Sequence, residues 1–325
     1  MTDRRDQLFA SVPYTQGLHE VADGVFAYLQ PDGGWGWSNA GLLATEWSSL
    51  LIDTLFDLNL TREMLDAMAS ITVSSPIDTV VNTHANGDHC YGNSLLSNAG
   101  AQIVTSEAAA AEMGAMPPAA ITALMAVDLG ETTNRYVKEA FGPFEFSGVD
   151  LPIPDRTFSG ELQIDVGGQT VELLEVGPAH TSGDLLVYLP AVRTVFCGDI
   201  LFINGTPIIW DGPVANWIGA CDRILDLGAE VIVPGHGPLT DAAGVTAVRD
   251  YLVFVNDECH ARHAAGQSAT QAVQEIDLGP YAQWGEWERI AVNVHAIYRE
   301  IDGRSDLQSP LDLFAAMAEL KYGGK

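Results

Sequence analysis

Short apolar runs separated by glycine-rich turns dominate the first part of the chain. Residues 18 to 57 read as a meander of strands: Gly24-Val25-Phe26-Ala27-Tyr28-Leu29, then Gly41-Leu42-Leu43-Ala44, then Ser49-Leu50-Leu51-Ile52-Asp53. The intervening Pro31-Asp32-Gly33-Gly34-Trp35-Gly36-Trp37 is too rich in glycine for a strand interior and predicts a loop. Residues 59 to 70 then change to the helical period, and Ile77-Asp78-Thr79-Val80-Val81-Asn82-Thr83 returns to a buried strand that ends at His84. Further strands are predicted at 103–105, 171–176, 185–189, 195–199 and 231–234, with a helix at about 217 to 228 before the last. Strand, helix and strand alternate, which predicts an α/β fold.

Two stretches break the alternation. Residues 106 to 141 carry Ala108 to Ala111, Met113, Met116, Ile121, Leu124 and Met125, and predict one or two helices broken at Pro117-Pro118. Methionine adapts to irregular apolar shapes, so this insert fits a lid over an apolar substrate, ordinary helix packing or the contact of a homodimer. After residue 240 the chain reads as helical, through Ala242 to His263 and from Trp284 on to Ile301, and is expected to pack against the outside of the same domain. The expected organisation is an N-terminal segment over 1–17, a catalytic domain over 18–240 and a C-terminal extension over 241–325.

Composition narrows the function classes. The 325 residues are 47% apolar, enough for a substantial core, and the formal net charge is −28. That field repels phosphate backbones and anionic lipid, so neither nucleic acid nor a membrane is an expected partner, whereas a small neutral or apolar molecule is. The acidic opening Met1-Thr2-Asp3-Arg4-Arg5-Asp6 precedes no apolar run of signal length, which gives a cytoplasmic expectation. Cys90, Cys197, Cys221 and Cys259 show no paired spacing and read as reduced, buried thiols.

Histidine and aspartate recur where predicted strands end. His84, Asp88 and His89 follow one strand, His180 and Asp184 another, Asp199 a third and His236 a fourth. Loops at strand ends are where α/β proteins place their sites. Neutral imidazole and carboxylate are the ligands of Zn²⁺, and Fe or Mn accept them too. Each residue alone reads as an ordinary cap or core histidine; four loops together point to a metal.

The segments Thr83-His84-Ala85-Asn86-Gly87-Asp88-His89, Gly177-Pro178-Ala179-His180, Phe196-Cys197-Gly198-Asp199 and Val233-Pro234-Gly235-His236-Gly237 resemble the metallo-β-lactamase superfamily, whose signature is HxHxDH followed by His, a bridging Asp and a final His. The resemblance covers residues 18 to 240 and implies a four-layer αβ/βα sandwich. It also implies the metal ligands His84, Asp88, His89, His180, Asp199 and His236, with Asp53 as a supporting acidic group. The second histidine of the signature is Asn86 here. Amide oxygen is a weaker donor to Zn²⁺ than imidazole, so one ion at Asp88, His89 and His236 with Asp199 adjacent is expected.

Such an ion lowers the pKa of bound water to about 7 and polarises a carbonyl, which suits hydrolysis of an ester, lactone or thioester. Asp88 or Asp199 then orients or deprotonates the water, while His84, Asn86 and His180 serve either as ligands or as hydrogen-bond donors to developing charge. Trp35, Trp37, Trp210 and Trp217, with Asn204 and Asn216, are candidates for the pocket wall. A metal-dependent lyase, dehalogenase or redox enzyme on the same fold is the first rival, since fold does not fix chemistry. A binding protein with a decayed site is the second.

Overall fold

The computed structural model describes residues 12–304 and 309–323; the opening Met1 to Asp6 stretch lies outside the described residues. Among the described residues, twelve strands form two sheets. The first runs β1 (Gly17–Ala22), β2 (Val25–Leu29), β3 (Ala40–Ala44), β4 (Ser49–Ile52), β5 (Ile77–Val81), β6 (Gln102–Ser106) and β7 (Arg156–Phe158) in spatial order. The second contains β8 (Glu161–Val166), β9 (Gln169–Glu175), β10 (Leu185–Leu189), β11 (Thr194–Phe196) and β12 (Val231–Val233). Pairing is antiparallel from β1 to β4 and parallel from β4 to β7; in the second sheet only β11 and β12 are parallel.

Period-two alternation builds the layers. Leu43, Leu50, Ile52, Val81 and Val104 of the first sheet pack against Val171, Leu173, Leu185, Val187 and Phe196 of the second. The opposite face of the first sheet, with Leu42, Leu51, Val80 and Ile103, is covered by Met64 and Met68 of helix α1 (Leu58–Thr72). Asp57 starts that helix by accepting a hydrogen bond from the Leu60 N–H at 2.7 Å. The outer face of the second sheet, with Leu174, Leu186 and Val195, meets helices from the later part of the chain. Helix, sheet, sheet and helix make the expected four-layer sandwich. Among the described residues, no helix is long and apolar enough to cross a membrane.

Between β5 and β6 lie two short helices, α2 (Gly87–Cys90) and α3 (Asn93–Ser97). The insert forms three helices rather than one or two: α4 (Glu107–Glu112), α5 (Pro118–Ala126) and α6 (Glu131–Phe141). The break at Pro117-Pro118 is as expected, and a second falls where Gly130 adopts φ +86° and Asp128 accepts from the Gly130 N–H. Beyond β11, α7 (Val214–Leu227) leads to β12, followed by α8 (Ala242–Ala264), α9 (Ala269–Glu275), α10 (Ile290–Ile301) and α11 (Pro310–Tyr322). The extension does more than cover the outside. Arg289, Arg299, Leu313 and Phe314 reach the same cavity as the predicted metal residues.

Candidate metal centre

The ends of β4, β5, β11 and β12 and the loop from β9 to β10 converge at one end of the two sheets. Asp53 follows β4, His84 to His89 follow β5, His180 lies between β9 and β10, Asp199 follows β11, and His236 follows β12. Backbone hydrogen bonds fix their relative heights: Asp53 N–H donates to Val81 O, Leu185 N–H to Thr83 O, and Gly235 N–H to Gly198 O. His84, His89, His180, Asp199 and His236 are all buried.

The two carboxylate oxygens of Asp199 divide the cluster. Oδ1 lies 3.0 Å from His89 Nε2 and 3.4 Å from His236 Nε2, while Oδ2 lies 3.3 Å from His180 Nε2 and 3.8 Å from His84 Nε2. Asp88 Oδ2 closes the first group, 3.2 Å from His236 Nε2 and 3.8 Å from His89 Nε2. In a tetrahedron with bonds of 2.0–2.1 Å, donor atoms stand about 3.3 Å apart, so this spacing suits an ion of zinc's size.

Each imidazole presents Nε2 to the centre because its Nδ1 is occupied. His89 Nδ1 faces Asp53 Oδ2 at 2.9 Å, His180 Nδ1 faces Ile208 O at 2.7 Å, and His236 Nδ1 faces Gly33 O at 3.1 Å. His84 Nδ1 faces Thr83 Oγ1 at 3.0 Å, and that hydroxyl spends its own proton on Asp53 Oδ2 at 2.8 Å. Acceptors on all four Nδ1 atoms hold a ring proton there, so in each neutral ring the Nε2 lone pair points inward. Such lone pairs accept; they do not donate. The expectation that His84 and His180 donate hydrogen bonds or protons to reacting charge therefore fails on tautomer. Burial also lowers His84 well below the usual imidazole range and brings His180 down to about 4, with Asp199 pulling the other way in both.

His236 and His89 behave differently. Burial opposes their charged forms, yet Asp199 and Asp88 raise His236 to about 9 and, with Asp53, raise His89 well above its usual range. Burial is likewise outweighed by the histidines at Asp199 and Asp88, which are held below the ordinary carboxylate range. The cluster thus pulls positive charge into its centre. His84 Nε2, His89 Nε2 and Asp199 Oδ1 are buried without hydrogen-bond partners. Buried polar atoms need partners, and a cation shared among these three fits the donor set. Among the described residues, two groups have ligand atoms close enough to share an ion: His84, His89 and Asp199, and Asp88, His89 and His236.

Asn86 occupies the N-cap of α2 but makes no capping bond. Its amide nitrogen instead lies 3.0 Å from His180 Nε2. With the His180 proton fixed on Nδ1 by Ile208, the orientation that satisfies both groups has Asn86 donating to the Nε2 lone pair.

The cluster floors a cavity of about 450 Å³. Trp35 and Phe56 line it from the early loops, Met116, Ile121 and Phe141 from the insert, Trp210 from the stretch after β11, and Leu313 and Phe314 from α11. Trp35 joins these walls: its ring meets Phe141, Trp210 and Phe314 at centroid distances of 6.0, 6.2 and 5.6 Å, and its indole N–H donates to Tyr136 Oη at 3.1 Å.

Four expected pocket residues lie elsewhere. Trp37 and Asn204 line a separate cavity beside Tyr14 and Lys321. Trp217 is fully buried beneath His180 and donates its indole N–H to Ile200 O at 2.9 Å. Asn216, one residue earlier on α7, is exposed. Neighbours on a helix face directions about 100° apart, so both residues could not share the pocket. The pocket arginines, Arg289 and Arg299, escaped the sequence reading because nothing near them in the chain marks a site.

Fold and cluster define a four-layer α/β protein with a buried histidine and aspartate metal centre. The Metallo-beta-lactamase superfamily model matches residues 33–236, and the chain belongs to that superfamily. It is 27% identical over 219 residues to the alpha subunit of a 2,4-dinitroanisole O-demethylase from a Nocardioides species, covering 66% of this chain and 54% of that protein. With a type 2 metallo-beta-lactamase of Bacteroides fragilis it shares 24% identity over 248 residues, 74% of this chain and 85% of the relative. A solved sec-alkylsulfatase from a Pseudomonas species superposes with a TM-score of 0.64 at 18% identity, covering 91% of this chain and 53% of that one. A metallo-beta-lactamase from Pontibacter korlensis gives 0.55 at 22% identity over 73% and 99% of the two chains. This chain spans about half the length of the demethylase subunit and of the alkylsulfatase.

Proposed function

We propose that the protein is a metal-dependent hydrolase of a small, largely apolar ester-, lactone- or thioester-like substrate, holding one ion, Zn²⁺ by preference, at Asp88, His89 and His236 with Asp199. The observation that carries the single-ion reading is the Asn86 amide on His180 Nε2. It caps a lone pair that the other half of the cluster would need. Donor spacing is similar in both halves, so the difference lies in chemistry rather than distance: two imidazoles and two carboxylates against a set containing an amide.

A bound ion would supply Lewis acidity, acidifying water and polarising a carbonyl oxygen. The protein's own groups do the rest. Asp88, 13% exposed where the other members of its group are at most 4% exposed, faces the pocket ionised and accepts a proton from the attacking water. Asp53 holds His89 in its metal-ready tautomer. The aromatic wall takes the apolar part of the substrate and excludes water from the reacting end.

The test uses 4-nitrophenyl hexanoate. Dipicolinate should abolish release of nitrophenol, one equivalent of Zn²⁺ per chain should restore it, and turnover in ¹⁸O-water should leave one ¹⁸O in the hexanoate. Hydrolysis indifferent to chelation, or product without ¹⁸O, contradicts the reading.

A further inference from the structure

The chain carries 43 acidic against 15 basic side chains, so a guanidinium has a carboxylate within easy reach almost anywhere. Arg193 pairs with Glu230, Arg223 with Glu161, Arg249 with Asp222, Arg262 with Glu258 and Arg289 with Glu286. Arg299 does not follow. It projects from α10 into the wall of the metal pocket, partly buried, and its Nη2 donates to the backbone carbonyl of Asp211 at 2.8 Å. Among the described residues no carboxylate pairs with it. A guanidinium has five N–H donors, and this one has committed a single group of them to a neutral acceptor.

Other charges on the wall are already engaged. Glu112 and Asp211 both meet the Ser182 hydroxyl, and Glu112 also accepts from the Ser182 N–H at 3.2 Å. Arg289 is buried against Glu286 and stacked over the Trp35 ring, 4.4 Å from its centroid. Arg299 is therefore the lining cation with donors to offer. It is also well placed: the Trp210 and Asp211 N–H groups both donate to His180 O, so the strand of backbone that Arg299 grips rides directly on the metal loop. Desolvating a cation without a counter-charge is costly, and a planar fork of N–H groups matches an oxyanion.

We propose that Arg299 binds a carboxylate or sulfonate group carried by the substrate, so that the pocket takes an amphiphilic organic anion. The apolar body lies against Trp35, Phe141, Trp210 and Phe314, the anion meets the guanidinium, and the cleavable bond faces the metal cluster. The assignment rests on the hydrolase reading for the last of these and on Arg299 for the second.

Calorimetric titration of the full zinc-loaded chain with octane-1-sulfonate and with octan-1-ol tests it; neither holds a bond that the enzyme would hydrolyse, and a sulfonate is a poor metal ligand. The wild type should bind the sulfonate about tenfold or more tightly than the alcohol. Arg299→Gln, whose amide keeps the bond to Asp211, should bring the two affinities together without changing that for octan-1-ol, and Arg299→Lys should keep part of the preference. Equal affinities in the wild type, or a preference that survives Arg299→Gln, overturn the proposal. A chain that hydrolyses nothing yet shows the Arg299-dependent preference overturns the hydrolase reading alone.

Discussion

Gly235 stands where the His236 loop crosses Asp199. A Cβ there would lie 2.1 Å from Asp199 Oδ1 and 2.6 Å from the Gly198 carbonyl carbon, so a methyl group displaces the carboxylate that joins the two halves of the cluster. Gly235→Ala is expected to fold and to lose metal affinity on the order of tenfold, read by competition with a chromophoric chelator. Unchanged affinity would show that Asp199 does not bind the ion. Asp53 acts one step further out. It accepts from the Thr83 N–H and hydroxyl and from His89 Nδ1. In Asp53→Asn an amide keeping the bond to the Thr83 N–H turns its NH₂ towards His89, which drives the ring proton to Nε2 and aims it at the metal. Affinity should fall about 10–100-fold while the melting temperature measured without metal changes little. The signature residues were legible in the sequence because six of them fall within or directly after predicted strands. Trp217 and Asn216 were not, since their helical phase, fixed by the start of α7 after Pro213, decides which one faces inward.

At the scale of elements, the insert is held over the site through α4. Ser106 caps that helix and also donates to Gly183 O at 2.8 Å, on the loop that carries His180. A Cβ on Gly183 would meet Ala109 N at 2.2 Å and Ser106 Oγ at 2.4 Å. Gly183→Ala should therefore push α4 away from the site and cost about 1–3 kcal/mol, seen as a lower melting temperature with metal content intact. Stability equal to wild type would mean that the insert does not dock through this contact. Proline announced the break before α5, and Gly130 was the available sign of the second. Strands β7 and β8 passed unread: β7 has three residues, and β8 alternates exposed and half-buried positions at a sheet edge, so neither forms an apolar run.

The whole molecule places a two-sheet frame beneath a pocket whose roof comes from two other parts of the chain, the insert and the C-terminal helices. Periodicity revealed the frame because each strand buries residues by simple alternation. It could not reveal the roof, since Arg289, Arg299 and Phe314 lie more than fifty residues after His236, and helices of this kind pack equally well against any apolar face. The ion count belongs to this scale too, because all five converging loops set it. In the single-ion proposal, Asn86, whose amide nitrogen lies 3.0 Å from His180 Nε2, is the residue that withdraws His180 from metal binding. Metal content per chain, measured on purified wild type and Asn86→His after dialysis against buffered Zn²⁺, tests it most directly. About one ion in the wild type and a rise towards two in the variant are expected. Two ions in the wild type, or no gain on restoring the imidazole, would contradict it.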